Sequence, residues 1–435
     1  MGCSKNEVDS EEIAGVLKQS GFTTVSDESA EIIVINTCGF LEASKQESIA
    51  AIRAAVQLKK LGKAQKVIVA GCLAQRMGAD LMKEAPGADG YFGVGQMGRF
   101  HEVIAQVQNA RNAVLEISAP NHRWADVSTR ARAGSPWSAY LKVSEGCDHK
   151  CTFCTIPSFR GRHQSKPIER ILKEARFLVE GGAREINLIA QDVTQYGFDL
   201  YQKFTLPRLL KELDAIEGID WIRILYFYPN RLTDEVIDAM TKLPSVLPYI
   251  DIPLQHAHPD VLRRMKRPGD GARYLELFSR VRLAMPQVAI RTTFMVGFPG
   301  ETEEEFNCLL DFIKEARLDR VGAFTYSREQ GTPSFELEGQ VPFRVKRERY
   351  ERLMETQQSI SFAKNLDWVD REIDVLVEGF KDGVVIGRSF RDAPEIDGLV
   401  FVEIDDGLEQ GCLGEIRKVK VTRADAYDLF GSWSA

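Results

Sequence analysis

The segment Glu145-Gly-Cys-Asp-His-Lys-Cys-Thr-Phe-Cys-Thr-Ile-Pro157 carries three cysteines, Cys147, Cys151 and Cys154, with the spacing C-x3-C-x2-C. It follows an apolar run, residues 139–143, that predicts a short β-strand. A [4Fe–4S] cluster normally takes four thiolates, so three cysteines in one loop leave one iron with an open coordination position. An open iron predicts chemistry on a small molecule rather than electron storage alone.

A structural zinc site is the alternative for this loop, because zinc also accepts three cysteines and one histidine. His149 is the candidate fourth ligand. It lies inside the first cysteine gap, where its short reach makes a closed tetrahedron difficult, and no second C-x2-C pair completes a zinc ribbon. Ligand number and spacing therefore favour the iron–sulfur cluster.

The cysteine loop resembles the signature of radical S-adenosylmethionine enzymes. In those enzymes the methionyl amine and carboxylate of S-adenosylmethionine chelate the open iron. The resemblance implies that this chain binds S-adenosylmethionine next to a cluster held by Cys147, Cys151 and Cys154. The rest of the chain should then form a scaffold for that cofactor.

Downstream of the loop, short apolar runs alternate with amphipathic stretches. Strands are predicted over residues 185–190, 221–227, 249–253, 289–296 and 321–326, and helices over 167–180, 206–216, 233–241, 260–265, 274–284 and 303–316. With residues 139–143 this makes six strands with helices between them. Repeated β-then-α units predict parallel strands with right-handed crossovers, and six units form an incomplete relative of the eight-unit barrel. An incomplete barrel leaves a lateral opening for a large substrate.

Ligands of such barrels gather at the C-terminal ends of the strands. We expect cofactor contacts from the residues that the sequence places at these ends, namely Gln191, Asp192, Gln255, Gly297, Pro299, Gly300 and Tyr326, with His256 and Arg328 as neighbours. The Gly-Phe-Pro-Gly turn lets backbone approach a ligand closely. The same string also suits an ordinary strand-to-helix turn. Thr302 is the predicted N-cap of the helix that follows it.

Three more cysteines, Cys3, Cys38 and Cys72, lie in the first hundred residues. Strand-like runs at residues 31–36 and 66–70 lead to the second and third of them. In an open α/β sheet the loops at the carboxyl ends of the strands converge on one edge, so these thiols can meet in space. The alternative to a cluster site is that these are ordinary free cysteines of the core, because buried free cysteines are common in α/β proteins. A second set of three beside the first favours a second three-ligand cluster site.

The whole chain is similar to the methylthiotransferase family. The family's G-C-x-K-N-x-x-D-S-E opening stands at residues 2–11, its N-T-C-G-F string at 36–40 and its A-G-C-L string at 70–73. The resemblance implies that Cys3, Cys38 and Cys72 hold an auxiliary [4Fe–4S] cluster, so that two [4Fe–4S] clusters are present. Cys308 and Cys412 match neither set, and Cys308 is predicted to pack in a helix.

The family usually has a strand leading into its first cysteine, whereas only Met1 and Gly2 precede Cys3 here. We therefore expect either that the start of the chain is misassigned or truncated, or that Cys3 lies on a frayed terminus.

The segment from residue 369 to 435 alternates β-rich runs, residues 373–378, 384–389, 399–403 and 416–424, with glycine and aspartate turns. It predicts a small all-β barrel and resembles the TRAM domain, a module that usually binds RNA. This segment carries eight lysines and arginines against fifteen aspartates and glutamates. A surface for phosphates should be basic, whereas an acidic barrel should attract a basic partner. Net charge can also serve solubility alone, and local basic patches can survive within it.

Charge bears on the substrate because the family has two branches. One branch modifies adenosines beside tRNA anticodons, and the other adds a methylthio group to the β-carbon of an aspartate in the very basic small-subunit ribosomal protein uS12. The strings at residues 225–229, 249–256 and 387–398 look like the ribosomal-protein branch. We therefore expect uS12 as the partner, free or on the small subunit, with tRNA as the alternative substrate. A non-catalytic iron–sulfur protein is the third hypothesis.

A β-carbon hydrogen sets the chemistry, because no protein side chain has a pKa suited to removing it. A carbon radical is needed. The resemblance implies that the barrel cluster, reduced by an electron donor, cleaves S-adenosylmethionine to a 5′-deoxyadenosyl radical that takes the hydrogen. It also implies that a second S-adenosylmethionine methylates a sulfur held at the auxiliary cluster. The substrate carbon must then reach both clusters.

The expected architecture is α/β, with three domains whose sizes are ordinary for its 435 residues. These are an N-terminal open parallel α/β sheet domain at 1–120, an incomplete (β/α)6 radical S-adenosylmethionine barrel at 133–367 and a small all-β TRAM barrel at 369–435. Residues 121–135 form the link between the first two. No apolar run approaches the roughly 20 residues of a membrane span. Eight cysteines without a secretory signal predict a reducing cytoplasm.

Overall fold

A computed structural model of the chain describes residues 2–25, 30–120, 124, 130–403 and 412–434. The described helices are α1 (Ser4–Gln19), α2 (Glu42–Lys60), α3 (Cys72–Met77), α4 (Ala79–Glu84), α5 (Phe100–Asn109), α6 (Ile156–Arg160), α7 (Ile168–Glu180), α8 (Phe198–Tyr201), α9 (Leu206–Asp214), α10 (Asp234–Lys242), α11 (Pro259–Arg264), α12 (Gly271–Ala284), α13 (Glu303–Ala316) and α14 (Phe343–Leu366).

The described strands are β1 (Ile32–Thr37), β2 (Lys66–Gly71), β3 (Gly90–Phe92), β4 (Val114–Glu116), β5 (Ser138–Lys142), β6 (Ser144–Glu145), β7 (Gln164–Ser165), β8 (Glu185–Ile189), β9 (Trp221–Ile224), β10 (Tyr249–Asp251), β11 (Ala289–Val296), β12 (Arg320–Thr325), β13 (Glu372–Lys381), β14 (Val384–Ser389), β15 (Val400–Glu403), β16 (Ile416–Ala424) and β17 (Leu429–Trp433).

The N-terminal sheet is parallel throughout and has the order β1-β2-β3-β4. The apolar runs at residues 31–36 and 66–70 correspond to β1, which ends at Thr37, and to β2, which ends at Gly71, so a cysteine directly follows each of these strands. The hydroxyl of Thr37 donates to the carbonyl of Ala70 at 2.6 Å, which fixes the ends of the two strands side by side. The predicted open parallel α/β sheet is confirmed.

The central domain contains the six predicted parallel strands, in the orders β5-β8-β9 and β10-β11-β12. The two halves adjoin, because the amide of Phe227 donates to the carbonyl of Asp251 at 2.8 Å and Ile222 forms a parallel bridge with Val246. Amphipathic helices cover the strands with buried leucine, isoleucine and phenylalanine side chains. Strand β9 ends at Ile224, earlier than the predicted residue 227, because Tyr226 takes a left-handed backbone with φ 67°.

The C-terminal domain is a closed five-stranded barrel with the order β13-β14-β15-β17-β16. It confirms the predicted small β-barrel and adds a strand, β17, that the sequence did not indicate. Gly431 lies in the middle of β17, where a Cβ would be 2.3 Å from the carbonyl oxygen of Lys420. Glycine in a sequence usually indicates a turn. Here it lies inside a strand, because two backbones approach so closely that no side chain fits between them.

The C-terminal barrel docks onto the N-terminal ends of the central strands through buried ion pairs. Glu185, the first residue of β8, contacts Arg388 at 2.5 Å and Arg223 at 2.8 Å. Burial alone would raise the pKa of Glu185, but the two guanidinium groups outweigh it and lower the pKa to about 2. Arg320 and Asp392 form a second buried pair at 2.7 Å.

We expect Glu185→Gln to weaken this attachment, because Arg223 and Arg388 lose a buried carboxylate. Breaking a buried pair costs about 3–5 kcal/mol. The contribution of Glu185 is complete above its ordinary pKa of 4.5 and is lost as pH falls toward about 2, so the effect of the substitution should shrink over that window. Hydrogen exchange of the backbone amides of β13 and β14 measures the weakened attachment.

The matched control is Asp238→Asn, which breaks an exposed pair with Lys242 on α10. Exposed pairs contribute about 0–1 kcal/mol, so β13 and β14 should keep their protection in this variant. Equal protection of these strands in both variants would contradict the role of Glu185.

Of the predicted link at residues 121–135, positions 121–123 and 125–129 lie outside the described residues. The buried guanidinium of Arg130, at the end of this link, pairs with Glu11 at 2.5 Å and with Glu174 at 2.8 Å, so it joins α1 to α7. None of the described helices is long and apolar enough to cross a membrane.

Candidate metal and cofactor site

The first cysteine set lies in the loop that follows β6, at the C-terminal edge of the central strands. The amide of Cys147 donates to the carbonyl of Gly161, and the amide of Cys154 donates to that of Cys151. Thr152 anchors the loop on two sides: its amide donates to Met265 at 3.0 Å and its carbonyl accepts from Ser334 at 2.9 Å. The loop is thus held by segments that follow α11 and β12.

The second cysteine set joins three elements of the N-terminal domain. Cys3 is the N-cap of α1, Cys38 follows β1, and Cys72 opens α3 directly after β2. The side-chain oxygen of Asn6 lies 3.8 Å from the sulfur of Cys3 and 3.7 Å from that of Cys72. Gly2 lies so close to Cys38 that a Cβ on it would be 3.0 Å from the Cys38 Cβ. The structure therefore brings the three cysteines together.

The backbone of Cys3 is tied to the helix that it begins. Its carbonyl accepts from the amides of Asn6 at 2.8 Å and Glu7 at 3.1 Å, although its side chain is exposed. This differs from the expected frayed terminus, because the first turn of α1 supplies donors that need an acceptor.

The sulfurs of neither set stand at the spacing of a formed tetrahedral zinc site. Around a tetrahedral zinc with Zn–S bonds of about 2.3 Å, sulfurs lie about 3.8 Å apart. Among the described residues, the three sulfurs of neither set all lie within 4.8 Å of one another. His149, the alternative zinc ligand, instead places its Nε2 2.7 Å from Asp192 and stacks on Tyr228 at 3.7 Å.

Burial raises the pKa values of Cys72, Cys147 and Cys154 to about 12. Thiolates at these positions therefore need a strong cationic partner, and bound iron provides one because a coordinating thiol is deprotonated outright. Soft thiolate ligands in sets of three also match the preferences of iron–sulfur clusters. The residues present fit clusters at both sets.

Arg160 connects the two cysteine sets. This buried guanidinium donates through Nε to the sulfur of Cys72 at 3.1 Å and through its other nitrogens to Glu145 at 3.1 Å and Asp9 at 2.7 Å. Glu145 stands two residues before Cys147. One side chain therefore spans from a cysteine of the N-terminal domain to the base of the barrel loop.

Two of the predicted cofactor residues have a buried acceptor that lacks a partner. The amide nitrogen of Gln191 donates to Glu145 at 2.6 Å, but its side-chain oxygen has no hydrogen-bond partner within the described part of the chain. The side-chain oxygen of Gln255 is likewise buried and unpaired, and its backbone is left-handed with φ 74°. Unpaired buried acceptors at the ends of β8 and β10 suit a ligand that carries an amine.

Asp192, also at the end of β8, is buried and fully engaged by the protein. One oxygen accepts from the amide of Thr194 at 2.9 Å, and the other faces His149 and Arg231. Asp192 thereby positions His149, which lies between Cys147 and Cys151 in the sequence.

The Gly-Phe-Pro-Gly turn, which includes Pro299, contacts protein groups on both sides. The amide of Gly297 donates to the carboxylate of Glu301 at 3.0 Å, and a Cβ there would be 2.3 Å from Lys346. The amide of Gly300 donates to the carbonyl of Gly339 at 2.8 Å. Thr302 caps α13 as predicted, in a capping box with Glu305.

Tyr326 and His256 are buried and bonded within the protein. The hydroxyl of Tyr326 donates to Ser334, and its ring packs edge-on against Phe298 at 5.3 Å. Nδ1 of His256 accepts from the amide of His258 at 2.9 Å, and burial lowers the pKa of His256 to about 3. The neighbouring Arg328 donates to the carbonyl of Phe335.

Arg160 and Asn6 contact cysteine sulfurs and Glu145 contacts Arg160, but none of the three was among the predicted site residues. Arg160 has no pattern around it that marks it, whereas Asn6 lies in the G-C-x-K-N opening and Glu145 directly precedes the Gly-Cys of the barrel loop, so these two motifs could have indicated them.

Six parallel β/α units, with a three-cysteine loop and unpaired acceptors at the C-terminal ends of the strands, define a radical S-adenosylmethionine enzyme. A family model described as the Radical SAM superfamily matches residues 141–313, and one described as TRAM domain matches 369–433. A third, described as Uncharacterized protein family UPF0004, matches residues 1–93.

Two relatives named ribosomal protein uS12 methylthiotransferase RimO match over the full length. The protein from Thermoanaerobacter sp. (strain X514) is 46% identical over 434 residues, covering 100% of this chain and 98% of the relative. The protein from Moorella thermoacetica is 46% identical over 433 residues, covering 99% and 97%. This chain therefore belongs to the RimO family of radical S-adenosylmethionine methylthiotransferases, enzymes that use a [4Fe–4S] cluster and S-adenosylmethionine.

Among solved structures, the chain is similar to the radical S-adenosylmethionine methyltransferase TsrM from Kitasatospora setae with cobalamin and a [4Fe–4S] cluster bound. The TM-score is 0.56 at 14% identity, over 75% of this chain and 73% of that one. At this identity the likeness concerns the fold alone.

Proposed function

We propose that this chain adds a methylthio group to the β-carbon of an aspartate of ribosomal protein uS12, in the cytoplasm, using two [4Fe–4S] clusters and an electron donor. We assign one cluster to Cys147, Cys151 and Cys154 in a barrel domain at 133–367, and the other to Cys3, Cys38 and Cys72 in a domain at 1–120. The link through Arg160, from the Cys72 sulfur to Glu145 two residues before Cys147, is the observation that supports the proposal.

When bound, the clusters and S-adenosylmethionine supply a 5′-deoxyadenosyl radical for hydrogen removal and a sulfur for transfer. The chain's own residues position these groups. Arg160 and Asn6 hold Cys72, Thr152 anchors the barrel loop, and the unpaired oxygens of Gln191 and Gln255 offer acceptors to the amine of S-adenosylmethionine.

The charge of the C-terminal domain, assigned to residues 369–435, supports a basic substrate. Its fifteen acidic residues outnumber its eight basic ones. Two of the basic ones, Arg388 and Arg391, are buried against the barrel, so they add little to the charge that a partner meets. The carboxylates of Asp392 and Asp397 are buried at the same boundary and offset these two arginines, so the remaining surface keeps the acidic excess, which attracts a basic protein such as uS12.

One observation favours tRNA as a second candidate. Strand β16 carries four of the eight basic residues, namely Arg417, Lys418, Lys420 and Arg423. The guanidinium of Arg423 lies 3.6 Å from the ring centre of Phe430, and Lys420 is exposed. Basic residues beside aromatic rings are typical of single-stranded nucleic-acid contacts. Arg417 and Lys418, however, already face Glu415 and Asp374.

The deciding experiment is an anaerobic assay of reconstituted protein with reductant and S-adenosylmethionine, offering uS12 and unmodified tRNA in parallel. Mass spectrometry of both identifies the product. We expect a methylthio adduct on an aspartate of uS12. An adduct on tRNA alone would overturn the proposal in favour of the second candidate. Formation of deoxyadenosine without either adduct would overturn both substrate assignments.

We expect Arg160→Met to lower iron binding at Cys3, Cys38 and Cys72. The variant leaves Asp9 with one of its two buried cations and removes the donor to the Cys72 sulfur, at a cost of about 3–5 kcal/mol for the broken buried pairs. Iron analysis and electron paramagnetic resonance of the variant measure the loss.

The matched control is Arg162→Met, since the Arg162 side chain is 92% exposed and forms only a long contact with Asp148 at 3.4 Å. It should keep full iron content. Full iron content in Arg160→Met would contradict the connecting role of Arg160.

A further inference from the structure

Lys5 is a buried lysine that has no carboxylate partner among the residues the structure describes. Its residue is 6% exposed, and its ammonium lies 3.1 Å from the centre of the Tyr226 ring. In the part of the chain that the structure describes, no aspartate or glutamate lies at ion-pair distance from it. By contrast Asp9, one turn along α1, pairs with both Lys142 and Arg160. Lysines are almost never fully buried unless paired, so the Lys5 charge suits an anion that arrives from outside.

Tyr226 forms a rigid platform beneath this ammonium. Its φ of 67° is a genuine outlier for a bulky residue. Two hydrogen bonds hold it there: its amide donates to Asp251 at 3.1 Å, and its carbonyl accepts from Val193 at 3.2 Å. Strained backbone persists where the surroundings fix it, and it clusters at functional sites. The half-buried ring stays beyond the end of β9, under Lys5.

The position of Lys5 places its charge beside one cysteine set and over the mouth of the barrel. It stands two residues after Cys3 and next to Asn6, whose side-chain oxygen is within 3.8 Å of two cysteine sulfurs of the set. Tyr226 belongs to the strand ends where barrel ligands gather. A substrate carbon that must reach both cluster sites therefore passes close to this ammonium.

We propose that Lys5 binds the side-chain carboxylate of the substrate aspartate and thereby selects aspartate over asparagine. This inference rests on the proposed function. The carboxylate of aspartate is bonded directly to the β-carbon, so an ammonium that holds it also positions the reacting carbon. Asparagine brings no negative charge, so its amide oxygen can accept only the weaker hydrogen bond of a neutral acceptor. Glutamate places its carboxylate one methylene farther from its own β-carbon.

The test compares binding of uS12 with binding of its variant in which the modified aspartate, identified by mass spectrometry, is replaced by asparagine. We expect the wild-type enzyme to bind the aspartate form about tenfold more tightly, as a charge-assisted hydrogen bond would give. Lys5→Met should bind both forms with equal affinity, whereas Lys5→Arg should retain the preference. Fluorescence anisotropy measures the dissociation constants, and iron content establishes that each variant has folded.

The matched control is Lys18→Met, which removes one exposed charge from the far end of the same helix, about 20 Å away. It should keep the preference for aspartate. Equal affinity of the wild type for both forms, or an undiminished preference in Lys5→Met, would overturn this inference alone. A wild-type enzyme that never modifies uS12 would overturn the proposed function and this inference with it.

Discussion

Cys151→Ala should reduce the formation of 5′-deoxyadenosine from S-adenosylmethionine to the level of a reaction without protein. Cys147, Cys151 and Cys154 are the three thiols of one loop, and a cluster with an open iron requires all three. Two remaining thiolates cannot hold the cluster in the geometry that exposes one iron to the cofactor. Chromatography with mass spectrometry measures deoxyadenosine under reducing, anaerobic conditions.

Iron analysis provides a second readout of Cys151→Ala, since the content should fall from about eight to about four irons per chain with one cluster of two lost. Cys308→Ala is the control, because Cys308 lies half-buried on α13 and belongs to neither cysteine set. Appreciable residual deoxyadenosine in Cys151→Ala would refute the assignment of the barrel loop.

Cys38→Ala should separate the two halves of the reaction. It removes a ligand from the N-terminal set and leaves the barrel loop intact, so deoxyadenosine formation should continue. Methylthiolation of uS12 should fall below detection, because the sulfur that is transferred is assigned to the N-terminal set. Both products are measured in the same reaction by mass spectrometry.

The control for Cys38→Ala is Cys412→Ala, a buried cysteine in the core of the C-terminal barrel. It removes a thiol of similar burial from a domain without a cluster site. A Cys38→Ala enzyme with full methylthiolation would refute the role assigned to the N-terminal set.

The fold could be predicted where it depends on local periodicity. Alternating apolar runs and amphipathic stretches marked all six central strands, because the strands are buried or half-buried beneath helices that each have an apolar face. The convergence of Cys38 and Cys72 followed from their places after neighbouring parallel strands. Strand β17 was not predicted because it contains a glycine, Gly431, which usually indicates a turn. The close approach of two backbones requires that glycine inside the strand.

The contacts around the cysteines could not be predicted, because they join residues far apart in the chain. Arg160 and Asp9 are separated by 151 positions, and no periodic pattern relates them. Lys5 over Tyr226 depends on a left-handed tyrosine that no propensity would suggest. Tyr326 stays a predicted cofactor contact from its place after a strand, and its hydroxyl donates to Ser334.

The attachment of the C-terminal barrel limits how such enzymes can diversify by exchanging modules. Residues 387–398 enter the N-terminal ends of the central strands, where Arg388 meets Glu185 and Asp397 accepts from Tyr249. A foreign barrel grafted at this boundary would leave Glu185 and Arg223 buried without Arg388. We therefore expect recombination between relatives to succeed only when the donor module and the recipient strands already share these complementary charges.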